Sequence, residues 1–185
     1  MAKSTFKSLC IPFAILLLIW LVFHIKDTMS QTIVQLTPYF QKEMMNKIKT
    51  AKKVQSVVFK MDSKAVFDAF LTAAENGADI TIIADPKENR ENPMLDELKN
   101  KYPNVKYYLF NTDEYRKLHA KFTIITDPNG SQHCYIGSAN WTQSSMVDGT
   151  HAKSNMEIEL SSRNSTIISQ CESAFDKLLA MSTAQ

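Results

Sequence analysis

The sequence predicts an α/β domain, a mixed β-sheet flanked by helices, preceded by one N-terminal transmembrane helix. Three observations carry that expectation. Short β-branched runs, VQSVVF at 54–59 and DITIIAD at 79–85, alternate with stretches of helical apolar spacing in the first half. Two more apolar runs, LHAKFTIIT at 118–126 and HCYIG at 133–137, flank the turn signal DPNG and so read as a hairpin. The N-terminus carries CIPFAILLLIWLVFHI, from Cys10 to Ile25, in which the one weakly polar group is His24.

That apolar run is near the lower length limit for spanning a bilayer, and Ser8 and Leu9 extend it. A retained anchor is favoured over a cleaved signal peptide, because no A-x-A follows the core promptly. Residues 1–26 are therefore read as membrane anchor or signal sequence, 27–37 as a polar linker, and 38–185 as the folded domain. Lys3, Lys7 and the amino terminus would stay inside, placing the domain on the outer, periplasmic or exoplasmic, side. Lys42, Lys47, Lys49, Lys52 and Lys53 lie downstream and oppose that orientation. Signal cleavage would instead give a secreted protein.

Within the domain, Pro38 opens a helix with Phe40, Met44, Met45 and Ile48 at helical spacing. Asp62 and Ser63 are candidate caps of a helix that buries Val66, Ala69, Phe70 and Ala73 and stops at Gly77. PKENRENP is a charged loop, followed by a helix through Met94–Tyr102 and the strand VKYYLF at 105–110. After the hairpin, MEIEL at 156–160 alternates as a strand does. STIISQCESAFDKLLAM closes the chain as an amphipathic helix with Ile167, Ile168, Cys171, Phe175, Leu178 and Leu179 on one face.

The 185 residues, 44% hydrophobic, suffice for one domain of about 150 residues plus something smaller. A net charge of +2 does not announce a polyanion partner. There is no CxxC, which argues against a zinc ribbon or thioredoxin-type site. Cys134 and Cys171 could pair, but the sequence favours two buried free thiols. A metal set of His119, Asp127, His133 and Asp148 lacks HExxH or comparable ligand spacing. NGS, NWT and NST are glycosylation acceptors by pattern. A glycan on Asn140 would block that residue, which disfavours a glycosylating lumen.

The tripeptide pattern HxK occurs at His24, His119 and His151. In a strand, residues i and i+2 share a face roughly 7 Å apart, so His119 and Lys121 could both touch one phosphate. Downstream, YIGSANWT offers the small Gly137, the Ser138 hydroxyl and the Asn140 amide. His151 sits in the polar stretch VDGTHAKSN, with no strand and no GSxN after it, and reads as a solvated loop histidine. His24 and Lys26 lie at the membrane boundary, where they read as interfacial anchors.

HAKFTIITD followed by YIGSANWT and SNMEIEL resembles the HxK…D…GSxN signature of the phospholipase D superfamily, with its later Asn-x-Glu strand. The resemblance covers about residues 119–160 and implies a phospholipase D-like half domain over 38–185. One departure stands out. Five residues separate Lys121 from Asp127 where the family has four, so Thr126 occupies the expected position. A one-residue step reverses the face of a strand side chain, and Asp127 instead suits the start of the DPNG turn.

The resemblance implies phosphodiester cleavage through a phosphohistidine, without metal or cofactor. His119 is the implied nucleophile, with Glu157 its orienting carboxylate and Glu159 the alternative. Lys121, Asn140 and Ser138 would hold the phosphate oxygens, and Asp127 is carried over as a catalytic candidate. Small members have one motif per chain and share a site between two subunits. A homodimer is therefore expected, with a His119 from each protomer at one phosphate. His133 is the alternative acid within one chain.

The single-motif format resembles the bacterial endonuclease and mitochondrial-surface nuclease branches, though the latter's cysteine/histidine finger is missing. An endonuclease on DNA or RNA is the leading expectation. Lys87, Arg90, Lys99, Lys101, Lys106, Arg116 and Lys117 would line the groove, and Tyr107, Tyr108, Tyr115 or Trp141 would stack on bases. For most of these residues, a solvated face or a core position is the plainer reading. Two alternatives remain: a phospholipase D acting on membrane phospholipid such as cardiolipin, reached through the segment 9–25, and a non-catalytic, membrane-tethered phosphate-binding module.

Overall fold

The computed structural model describes residues 15–20, 32–37, 39–146 and 154–185. It divides into two units, Met1–Gln31 and Thr32–Gln185. In the first, residues 15–20 are helical. Among the described residues no helix is long and apolar enough to cross a membrane. Most of the apolar run at 9–25 lies outside the described residues, as do His24, Lys26, Asp148, His151 and Lys153.

The second unit is built on one eight-stranded mixed sheet. In chain order its elements are β1 (Thr32–Leu36), α1 (Tyr39–Lys49), β2 (Lys53–Val58), α2 (Lys64–Glu75), β3 (Asp79–Ala84), α3 (Pro86–Asn89), α4 (Pro93–Lys101) and β4 (Val105–Phe110). Then come β5 (Phe122–Thr126), β6 (Gln132–Gly137), β7 (Ile158–Ser162), α5 (Ser165–Ala180) and β8 (Ser182–Ala184). The strand order is β1-β7-β6-β5-β2-β3-β4-β8. Strands β2, β3 and β4 run parallel through helical crossovers, and every other pairing is antiparallel. The mixed sheet flanked by helices is as the sequence predicts.

Local chemistry sets the element ends. Gly77 has φ 81° and takes the left-handed turn after α2, and Gly130, φ 86°, does the same in the DPNG turn. Asn92 caps α4 through Met94 N (3.1 Å) and Leu95 N (3.4 Å), and Asn164 caps α5 likewise. Ser63 stands at the N-cap of α2, but its side chain makes no capping bond.

The helices cover both sheet faces. Helices α1, α2 and α4 bury Phe40, Met44, Ile48, Phe70, Leu95 and Leu98 against Val54, Ile80, Ile82 and Tyr135. Helix α5 buries Phe175 with Val57, Ile83 and Leu118, and Ile168 and Cys171 with Ile124 and Cys134. These side chains leave water almost completely, which supplies most of the folding drive.

Three sequence expectations need correction. Residues 32–36 are not linker: TIVQL is a β-branched strand, and Thr32 to Leu36 pair with Ser162 to Ile158, about 130 residues away. The strand around His119 and Lys121 begins only at Phe122, because its partner β2 ends at Val58 and Phe122 pairs with Val57. The later strand is Ile158–Ser162, two residues on from MEIEL.

Candidate active site

The site forms where β2, β3 and β5 meet the segments around them. Asp85, at the end of β3, is fully buried. Its Oδ1 caps α3 through Lys87 N at 2.9 Å, and its Oδ2 accepts from Leu118 N at 2.7 Å. Leu118 itself packs with Val57, Ile83, Phe110 and Phe175. The residue before His119 is thus held by backbone and side chain together.

His119 follows outside any helix or strand, exposed, with its ring 4.7 Å from the Phe59 ring and tilted 59°. Lys121 Nζ folds back to donate to the His119 carbonyl at 3.0 Å and stands 3.5 Å from His119 Nδ1. Lys121 and Lys117 also lie 5.6 and 5.5 Å from the Phe59 ring centroid. Phe59 is therefore a platform carrying one imidazole and two ammonium groups. Partial desolvation, then Lys121 and Lys117, hold the His119 pKa below the ordinary imidazole value, with Asp85 opposing. This environment favours the neutral ring.

Next to Lys121 runs the end of β6, where Gly137 N donates to the Lys121 carbonyl at 3.3 Å. Gly137 must be glycine: a Cβ there would overlap the Glu159 carboxylate and the Ile158 carbonyl. The Ser138 hydroxyl donates to Glu157 and accepts from Ile158 N at 3.1 Å. Ser145 Oγ and Asn155 Nδ2 complete the grip on Glu157, at 2.8 and 3.1 Å. Burial pushes Glu157 up, but these three donors and the Lys121 charge outweigh it and hold the carboxyl below its usual range. Asn140 has its Oδ1 buried without a hydrogen bond. The next residue, Trp141, ties this segment to the end of β2 by accepting from Asp62 N and Ser63 N and donating to the Lys60 carbonyl.

Lys121, Ser138 and Glu157 are brought together, with His119 beside Lys121. Among the described residues, none of the Glu157 hydrogen bonds goes to His119, so the orienting contact implied by the resemblance is absent from this chain's geometry. Glu159, buried with Oε2 unpaired, has its carboxyl pushed up to about 8 by burial and by Glu157, against Lys121.

Asp127 is not brought to the site. It follows β5, whose five residues at ~3.3 Å each put it at the far end of the strand from Lys121. There Asp127 Oδ2 meets Lys47 Nζ at 2.9 Å and His133 Nε2 at 3.1 Å. The extra residue before Asp127 places it at the hairpin turn, where Gly130 N bonds its carbonyl. His133 shares that remote end, which removes it as an acid for His119.

Lys87, Arg90 and Arg116 line an open cleft of about 610 Å³ with Pro86, Glu88, Glu91 and Thr112. It starts one residue beyond Asp85 and three before His119. Lys99 pairs with Asp96 at 3.5 Å, and Lys101 lies over Tyr102, so both are engaged on their own helix. Tyr107 and Trp141 are core residues, not stacking surfaces; Tyr115 is exposed. The sequence reading missed Phe59, Asp85 and Ser145. Only Asp85 carried a local signal, as the residue before Pro86 at a helix start.

Residues 42–179 match the family described as "Cardiolipin synthase, PLD-like domain". The chain belongs to the phospholipase D superfamily. Among solved structures, NucT from Helicobacter pylori is similar at 21% identity and TM-score 0.70, over 84% of this chain and 99% of that one. Nuc from Salmonella typhimurium, a phospholipase D family member, is similar at 15% identity and TM-score 0.66, over 84% and 98%. A phosphatidylserine synthase from Haemophilus influenzae Rd KW20 matches at 10% identity and TM-score 0.66, over 84% of this chain and 40% of that one. These likenesses are of the phospholipase D fold. A comparison with curated proteins returned no match.

Proposed function

We propose that this phospholipase D-like protein is a metal-independent phosphodiesterase acting through a phosphohistidine, and that its substrate is DNA or RNA. The observation that carries the reading is the cluster of His119, Lys121 and Phe59 beside Ser138 and Glu157. A neutral imidazole stands exposed next to a fixed ammonium group, where one phosphate can meet both. His119 attacks phosphorus through a ring nitrogen, and the bond from phosphorus to the leaving oxygen breaks. Lys121 and the Asn140 amide offset the charge that grows on the remaining oxygens, while the Ser138 hydroxyl, committed to Glu157, holds that carboxylate in place. Water then cleaves the phosphorus–nitrogen bond and frees His119. Lys87, Arg90 and Arg116 in the adjoining cleft, set against Glu88 and Glu91, leave a small excess of positive charge along which a nucleic-acid backbone could run.

The leaving oxygen needs a proton, and His133 lies at the wrong end of β5 to give it. A second copy of this chain supplies it through its own His119. Val34, Leu36, Met156 and Ile158 are 50–75% exposed and fall on one side of the β1–β7 edge. This apolar strip lies on the face of β7 opposite Glu157, and the Ile158 backbone N–H, donating to Ser138, joins it to the site's edge. A two-fold contact along it would seat two such sites together. The segment 9–25 would tether the dimer to a membrane, with the domain on the outer side.

The test is hydrolysis of a chromogenic phosphodiester, single-stranded DNA, RNA and cardiolipin in EDTA, by wild type and His119→Ala. Nucleic acid cleavage lost in the variant supports the nuclease. Cardiolipin turnover alone would move the assignment to a phospholipase, and no turnover of any substrate would leave a phosphate-binding module.

A further inference from the structure

We propose that Cys134 and Cys171 are joined by an intrachain disulfide between β6 and α5. Their sulfurs stand 2.8 Å apart. Nonbonded carbon atoms already prefer ~3.5–4.0 Å, and sulfur is larger. A covalent S–S bond is about 2.0 Å, so a small side-chain adjustment closes the gap. Both thiols lie inside the fold. Cys134 is fully buried on a central strand, Cys171 is nearly so, and Ile124, Ile136, Ile167 and Ile168 pack around them.

The bond would close a loop of the chain whose ends stand 37 positions apart in sequence. Ser138, Asn140, Ser145, Asn155 and Glu157 all lie inside it. The cross-link would thus restrict, in the unfolded chain, the segment that carries half of the site. It rests on the packing of β6 against α5 and not on the proposed chemistry.

Formation requires a disulfide oxidant, a small-molecule disulfide or a dithiol oxidase. One cysteine thiolate attacks an oxidant sulfur, the oxidant's S–S bond breaks, and a mixed disulfide forms. The second thiolate then displaces the oxidant's remaining sulfur, which leaves as a thiol. In total the two cysteines give up two protons and two electrons, and the oxidant is reduced to two thiols. Because both sulfurs are covered once α5 docks, the exchange belongs to folding in an oxidising compartment. The inference is thereby an independent check on an outer-side location.

Cells producing the full chain are quenched in acid, and the protein is unfolded and alkylated with N-ethylmaleimide before peptide mapping. The expected result is one alkylated cysteine, Cys10, and Cys134 and Cys171 peptides linked and lighter by two hydrogens. Reduction should add two alkylation sites and lower the Tm by roughly 10 °C. The double variant Cys134→Ser/Cys171→Ser should lose this sensitivity to reductant. Alkylation of Cys134 and Cys171 without prior reduction would overturn the proposal.

Discussion

The Leu118 backbone N–H donates a 2.7 Å hydrogen bond to Asp85 Oδ2, so a buried carboxylate fixes the residue immediately before His119. Asp85→Asn keeps the shape but leaves one of the two acceptor positions facing a donor. Stability should fall by about 1–3 kcal/mol, read from the urea midpoint. In the proposed phosphodiesterase, kcat should drop about tenfold with little change in KM. Because Asp85 raises the His119 pKa, the acid limb of the pH profile should also move to lower pH. A loss of stability with an unmoved limb would reduce Asp85 to a scaffold residue.

His119 works in the proposed reaction as a neutral ring, and its surroundings hold its pKa below 6.5. On the acid side, activity should therefore persist below pH 6.5 and fall as pH drops through the lowered value, while the basic limb reports loss of the proton carried by the second copy's ring. Lys117 contributes to the lowering, so Lys117→Gln should move the His119 titration upward. The imidazole proton signals in an NMR titration measure this directly, without relying on turnover.

Stability should respond to His133. Burial first, then Lys47, lowers its pKa, while Asp127 opposes. Below 6.5 the unfolded chain takes up a proton that the folded chain refuses, so stability rises with pH across the window beneath that value. Unfolding in urea from pH 5 to 7.5 should show this rise as the difference between wild type and His133→Asn, because Glu159 and His119 titrate over the same range in both proteins. His133→Asn should leave the His119 titration in place, because the two rings sit at opposite ends of β5.

Glu159 should act in the opposite direction. Its carboxyl lies at about 8 in the folded state, above its ordinary value of 4.5. Stability from this group is full below 4.5 and is lost as pH rises through 8, because the unfolded chain releases the proton first. Glu159→Gln mimics the neutral acid and should remove this decline, making the variant the more stable protein at pH 8.5. Equal urea midpoints for the two proteins at that pH would contradict a protonated Glu159.

Much of this molecule was legible in one dimension. Apolar spacing located α1, α2 and α5, β-branched runs located the parallel strands, and DPNG announced the hairpin. The order of HxK, GSxN and Asn-x-Glu gave the family, since those residues lie close together in the chain. Pairing between distant segments decided the rest. MEIEL alternates, but alternation defines two faces without saying which is covered. The partner strands turn Glu157 and Glu159 inward and leave Ile158 outside. TIVQL became a strand because β7, some 130 residues later, offered it an open edge. Asp85 met Leu118 across 33 residues, and Phe59 came under His119 across a longer gap. Local periodicity encodes an element and its two sides, whereas only the assembled sheet decides which side chains share a site.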